Sequence, residues 1–169
     1  MNALKKTFTY TVLLFLVYIA QIAMGSMAES AYVRISVLPA FVMFASTIIP
    51  FSHVIFLALV FGIGYEAFAL APFGLSLAGM LAGVVITTGI MRHMKEHAWG
   101  SKLLSALAGV LVYAGIIYGG AYYIVRNIAL IRIGIWETGM QIAALCMFGI
   151  VWGLMQYMRN GKKEYEYHI

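Results

Sequence analysis

Between Arg34 and Glu66 the chain carries no Asp, Glu, Lys or Arg, and comparably long uncharged stretches follow it. A helix that crosses the roughly 30 Å of hydrocarbon in a bilayer needs about 20 such residues. Composition agrees: of 169 residues, 63% are hydrophobic and 10% charged, with a mean hydropathy of +0.93. Soluble domains average about 45–50% apolar and about 25% charged residues, and a chain this short leaves much of its surface exposed. A water-soluble globular enzyme, a disordered chain and a collagen-like chain do not fit. The sequence reads as one all-α integral membrane domain, residues 1–169.

Division at charges, prolines and glycine–polar clusters predicts a six-transmembrane-helix bundle. The spans fall at about residues 8–25, 35–49, 51–70, 73–91, 103–125 and 134–158. Proline lacks an N–H and disfavours helix in the residue before it, so Pro50 and Pro72 suit tight turns between antiparallel helices. A single kinked helix through Pro50 is the alternative, with five spans. Six spans place Lys5, Lys6, Arg92, Lys95, Lys102, Arg159, Lys162 and Lys163 on one side, and Arg34, Arg126 and Arg132 on the other. Because Lys and Arg collect at cytoplasmic ends, both termini are expected in the cytoplasm. Five spans would move Arg159, Lys162 and Lys163 outside. The net charge of +5 is therefore read as topology, with no nucleic-acid partner. Lys5, Lys6 and the small-x-small triplet Ser26-Met27-Ala28 also fit a signal peptide. The apolar stretch between them, at about 18 residues, is longer than the usual 7–15 and favours a retained span.

The informative residues are those that are costly to place in lipid. Glu66 lies about 22 Å along a helix that starts at Phe51. Its carboxylate must face the bundle interior, pair with a cation or neighbouring helix end, or take up a proton. Gly62, one turn earlier on the same face, permits close helix approach. Glu137, expected three residues into the last span, suits the positive end of a helix dipole. Arg126 and Arg132 bracket the loop before it and, with Arg34, suggest an external polar patch. Three G-xxx-G spacings, Gly79/Gly83, Gly115/Gly119 and Gly149/Gly153, mark helix faces that pack within the bundle or against a partner's helix. Tyr113, Tyr118, Tyr122, Tyr123, Trp99, Trp136 and Tyr157 read as interface anchors or packing.

Catalytic signals are lacking. His93 and His97 lie one helical turn apart but have no evident third ligand, so no metal site is expected. Cys146 is expected to be packed and inert in the apolar middle of the last span, and His53 is expected in a turn. No Ser-His-Asp order, phosphate-cradling loop or paired-carboxylate motif occurs. Neither an enzyme nor a cofactor is expected.

The stretch from Ala58 to Val84 contains Gly62, Glu66 four later, and Gly74 eight further on, opening an apolar helix. This resembles the middle of the rod shape-determining protein MreD family. Leu38-Pro39 before an apolar run is similar to that family's second helix. Glu66 stands where the family more often has Asp, Ala40 where a polar residue is common, and the last span lacks a frequent proline. The resemblance implies a non-catalytic scaffold of the bacterial elongation complex, in the inner membrane. It would dock an MreC-like protein and couple an MreB-like actin homologue to a class B penicillin-binding protein and a SEDS glycosyltransferase. The inner basic loops would meet membrane lipid or a cytoplasmic partner. The resemblance points to Pro39, Gly62, Glu66 and Gly74 as structural or partner-binding positions, beside Glu137, Arg126 and Arg132 from the residue reading. The family in turn is similar to substrate-capture subunits of energy-coupling-factor transporters, six-helix proteins that bind a vitamin or metal in the outer half. Their docking alanines, four apart in the first helix, are not matched by Ala20 and Ala23. A small proton-coupled carrier using Glu66 is a third reading.

Overall fold

The computed structural model describes residues 37–66, 74–94, 99–126 and 128–166, with residues 8, 9, 11, 12, 15, 16 and 19 near the start. The rest of the predicted first span, Ser26-Met27-Ala28, Arg34, Pro72 and His97 lie outside the described residues. Five helices follow in order: α1 (Leu38–Ala45), α2 (Phe51–Glu66), α3 (Leu75–His93), α4 (Trp99–Val125) and α5 (Ile128–Glu166). Among the described residues there is no strand.

Every residue of α1 is buried. Pro39 stands in its first turn, where a missing N–H costs no helical bond. Its apolar side chains belong to one core with Val54, Leu57 and Phe61 of α2, Met80 and Val84 of α3, Val110 and Tyr113 of α4, and Leu145 of α5. Phe41 meets Phe148 edge-on with centroids 5.1 Å apart, and Phe44 meets Trp152 at 6.4 Å, joining α1 to α5. At the C-terminal end, Ser46 Oγ donates to the Met43 carbonyl at 2.6 Å and Thr47 Oγ1 to that of Phe44 at 2.8 Å. The first bond satisfies a carbonyl that a buried helix end would otherwise leave open, while the Phe44 carbonyl also accepts the Thr47 N–H at 3.1 Å. Residues 46–49 then turn, and Pro50 precedes α2. No continuous kinked helix runs through Pro50.

Helix lengths separate two groups. The eight residues of α1 reach about 12 Å and the 16 of α2 about 24 Å. Among the described residues, α3, α4 and the Ile131–Met155 part of α5 are both long and apolar enough to cross a membrane. The expected second span, 35–49, is thus an enclosed short helix and turn in its described part. Large apolar side chains such as Leu111, Tyr123, Ile135, Trp136, Met147 and Leu154 are exposed on α4 and α5. That would be unfavourable in water and costs nothing in hydrocarbon.

The boundaries around the last two helices also differ from expectation. α4 starts at Trp99 and not at Leu103, and α5 begins at Ile128, six residues before Gly134. Arg126, at φ 52°, makes the break, while its N–H still donates to the Tyr122 carbonyl at 2.7 Å. Arg132 therefore lies within α5 and not in a loop. His53 lies in the first turn of α2, not in a turn between helices.

Candidate functional site

Three residues spaced four and eight apart, Gly62, Glu66 and Gly74, build one joint between α2 and α3. Gly74 is the N-cap of α3 at φ 94°, a left-handed conformation that a Cβ would strain. Having no side chain, it cannot bond the open N–H groups of the helix start. Glu66 supplies that bond from the end of α2: its Oε1 accepts the Leu77 N–H at 3.0 Å. Leu77 is the third residue of α3, the position an N-cap side chain ordinarily serves. The carboxylate also sits at the positive end of the helix dipole. Gly62 makes the approach possible, because a Cβ there would lie 2.8 Å from Leu77 Cδ1 and 3.4 Å from its Cα. Glu66 is buried, and its Oε2 has no hydrogen-bond partner. Of the roles open to this residue on sequence grounds, the structure displays the bond to a neighbouring helix end.

Glu137 is buried as well, by different means. It is the tenth residue of α5, so the expected stabilisation in a first turn does not apply; the helix starts too early. Its carboxylate accepts the hydroxyl of Tyr118 from α4. Gly134, one turn earlier, lets the Tyr118 ring lie against the α5 backbone, where a Cβ would collide with the ring. Arg126 and Arg132 are exposed near the same end of the molecule. Pro39 is far from chemistry of this kind; it starts the buried α1.

The three glycine pairs have different fates. Gly79 and Gly83 face α4: a Cβ on Gly79 would stand 3.1 Å from the Tyr113 ring, and one on Gly83 would stand 2.8 Å from the Gly109 carbonyl. Gly149 and Gly153 receive the indole of Trp99, whose Nε1–H donates to the Gly149 carbonyl at 2.8 Å. Gly115 and Gly119 are exposed, and a Cβ on either would meet none of the described residues within 4 Å.

Cys146 is exposed, contrary to its expected packing. The inward face of α5 runs through Gly134, Glu137, Gln141 and Leu145, and Cys146 lies one position round the helix from it. Among the described residues no group of three His, Cys, Asp or Glu side chains is placed to hold a metal. Sequence reading missed Gln141 and Ser76, both fully buried, with the amide atoms and the hydroxyl lacking partners. Gln141 was within reach of periodicity, since it follows Glu137 by four residues. Nothing local distinguishes Ser76 from a surface serine.

Taken together, the described residues form an all-helical structure with three helices long and apolar enough to cross a membrane and two buried acids at helix–helix joints. Compared with known proteins, the chain matches no family model, no curated protein and no solved structure.

Proposed function

We propose that this protein is a non-catalytic membrane scaffold, an MreD-like member of a bacterial cell-elongation complex. In this reading the chain is a multi-pass protein of the inner membrane, with the Lys102 end of α4 in the cytoplasm and the Arg126 end outside. It docks the single transmembrane helix of an MreC-like protein and couples MreB-like filaments to peptidoglycan synthesis. The observation that supports it most is the small-residue stripe on α4 that no described residue covers, where Gly115 and Gly119 are exposed on the face of Leu111 and Leu104. Small residues four apart let a second helix approach closely in lipid, where packing and not hydrophobicity drives association. The acids support the same reading, since both are engaged in joining helices.

The test is co-purification of an MreC-like partner with the full chain. Gly115→Leu and Gly119→Leu should abolish capture while the protein still accumulates in the membrane. Glu66→Ala should lower its accumulation, its capture of the partner, or both. If all three variants accumulate and capture the partner as wild type does, the scaffold reading is wrong. Impermeant thiol labelling of single cysteines placed near Lys102 and Arg126 tests the topology, and labelling from the cytoplasm at both refutes it.

One observation favours a second reading, capture of a small nutrient by an energy-coupling-factor-like subunit. Gln141 holds both amide atoms buried and unpartnered, an arrangement that native proteins seldom leave without a role. A rise in melting temperature with one compound of a vitamin panel would support it.

A further inference from the structure

A groove of about 390 Å³ opens on the side of the molecule between α4 and α5. Ala114 and Tyr118 form one wall, and Ile131, Ile135, Gly139 and Ile142 the other. Its polar lining groups are already engaged. The Tyr118 hydroxyl donates to Glu137, and Thr138 Oγ1 donates to the Gly134 carbonyl at 2.6 Å. What the groove offers is therefore an apolar trough. Its walls run from Ile131 to Ile142, about 16 Å along the α5 axis. That is close to half of the roughly 30 Å hydrocarbon thickness, the depth of one leaflet and not of a crossing helix.

Among the described residues, the cations nearest the groove stand at its Ile131 end. Arg132 precedes Ile135 by three residues and Gly139 by seven, so helical spacing sets it on the face of the α5 wall, level with the Ile131 end. Arg126 follows the end of α4, about two turns beyond Tyr118, and its N–H still donates to the Tyr122 carbonyl at 2.7 Å. Both arginines are exposed. A guanidinium is suited to paired hydrogen bonds with phosphate oxygens.

We infer that this groove holds one acyl chain of an anionic phospholipid, with the phosphate between Arg126 and Arg132. The lipid belongs to the leaflet at the arginine end. The inference rests on membrane insertion alone and not on the scaffold reading, which uses the neighbouring Gly115/Gly119 stripe.

The experiment uses the full chain in vesicles of phosphatidylglycerol and phosphatidylcholine in equal parts, followed by native mass spectrometry of the extracted protein. Phosphatidylglycerol should be retained in preference. Arg126→Gln and Arg132→Gln should each reduce that preference about fivefold, the loss expected for one cation at a membrane surface. Gly139→Leu fills the trough at a position where a Cβ meets open space, so it should fold normally and retain less of both lipids. A photoreactive amino acid at Ile135 should form adducts with lipid. Equal retention of the two lipids, wild-type retention by Gly139→Leu, or displacement of phosphatidylglycerol by inorganic phosphate would each overturn the inference. So would a crosslink from position 135 to a polypeptide, which would leave the Gly115/Gly119 reading standing.

Discussion

The two sides of α4 carry the same kind of residue and do opposite things with it. Toward α3, Gly109 meets Gly83, and the missing side chains bring two backbones together around Met43 and Thr87. Toward the outside, Gly115 and Gly119 meet none of the described residues. A small-xxx-small spacing therefore does not say whether a helix face is used internally. That is settled by which face the neighbouring helices already cover.

The contrast can be broken by substitution. Gly83→Leu drives a side chain into the Gly109 carbonyl, which cannot move aside, and should cost about 3 kcal/mol. Thermal unfolding in detergent checks it; a melting temperature equal to wild type would show that the α3–α4 seam is not closed as described. Next in size is Tyr118→Phe, which withdraws a hydroxyl from a buried carboxylate and should cost about 2 kcal/mol. Glu137→Gln in the same background should recover part of that loss by removing the charge. If the double variant is no more stable than Tyr118→Phe, the hydroxyl matters for another reason. At the α2–α3 joint, Glu66→Leu should cost about 1 kcal/mol through loss of the cap, whereas Glu66→Gln keeps an acceptor for the Leu77 N–H and should stay closer to wild type. Equal losses would mean that charge, not the bond, is what α3 needs. Smallest on stability is Gly115→Leu, within about 0.5 kcal/mol of wild type. Its effect should appear only in partner capture, which sharpens the distinction between the covered and the open glycines.

Glu66 illustrates how far residues alone can be read. Its cost in lipid, its place far along α2 and its glycine neighbour one turn earlier all follow from spacing. The identity of its partner does not, because a backbone N–H eleven residues away leaves no mark in side-chain pattern. Glu137 shows the reverse. The acid was visible, but its explanation depended on where α5 begins, and a single left-handed residue at Arg126 moved that start by two turns. Trp99 and Tyr118 read equally as membrane-interface anchors or as packing, because aromatic character is common to both. Contact with Gly149 and Gly134 puts them between helices. Cys146 went the other way, since an apolar neighbourhood in sequence does not reveal which side of a helix faces inward.

Composition and charge spacing by themselves determine that this chain is helical and suited to a bilayer, because apolar runs without charges have few other stable solutions there. The turn before Pro50 was a local fact of backbone geometry, and legible as such. Only the packed structure decides that 38–45 is a short enclosed helix, that one carboxylate caps a backbone while another takes a tyrosine hydroxyl, and that one glycine pair of three is left open. The physical reason is that these outcomes depend on which helix faces meet, and a run of almost uniformly apolar residues carries little amphipathic signal to tell one face from another.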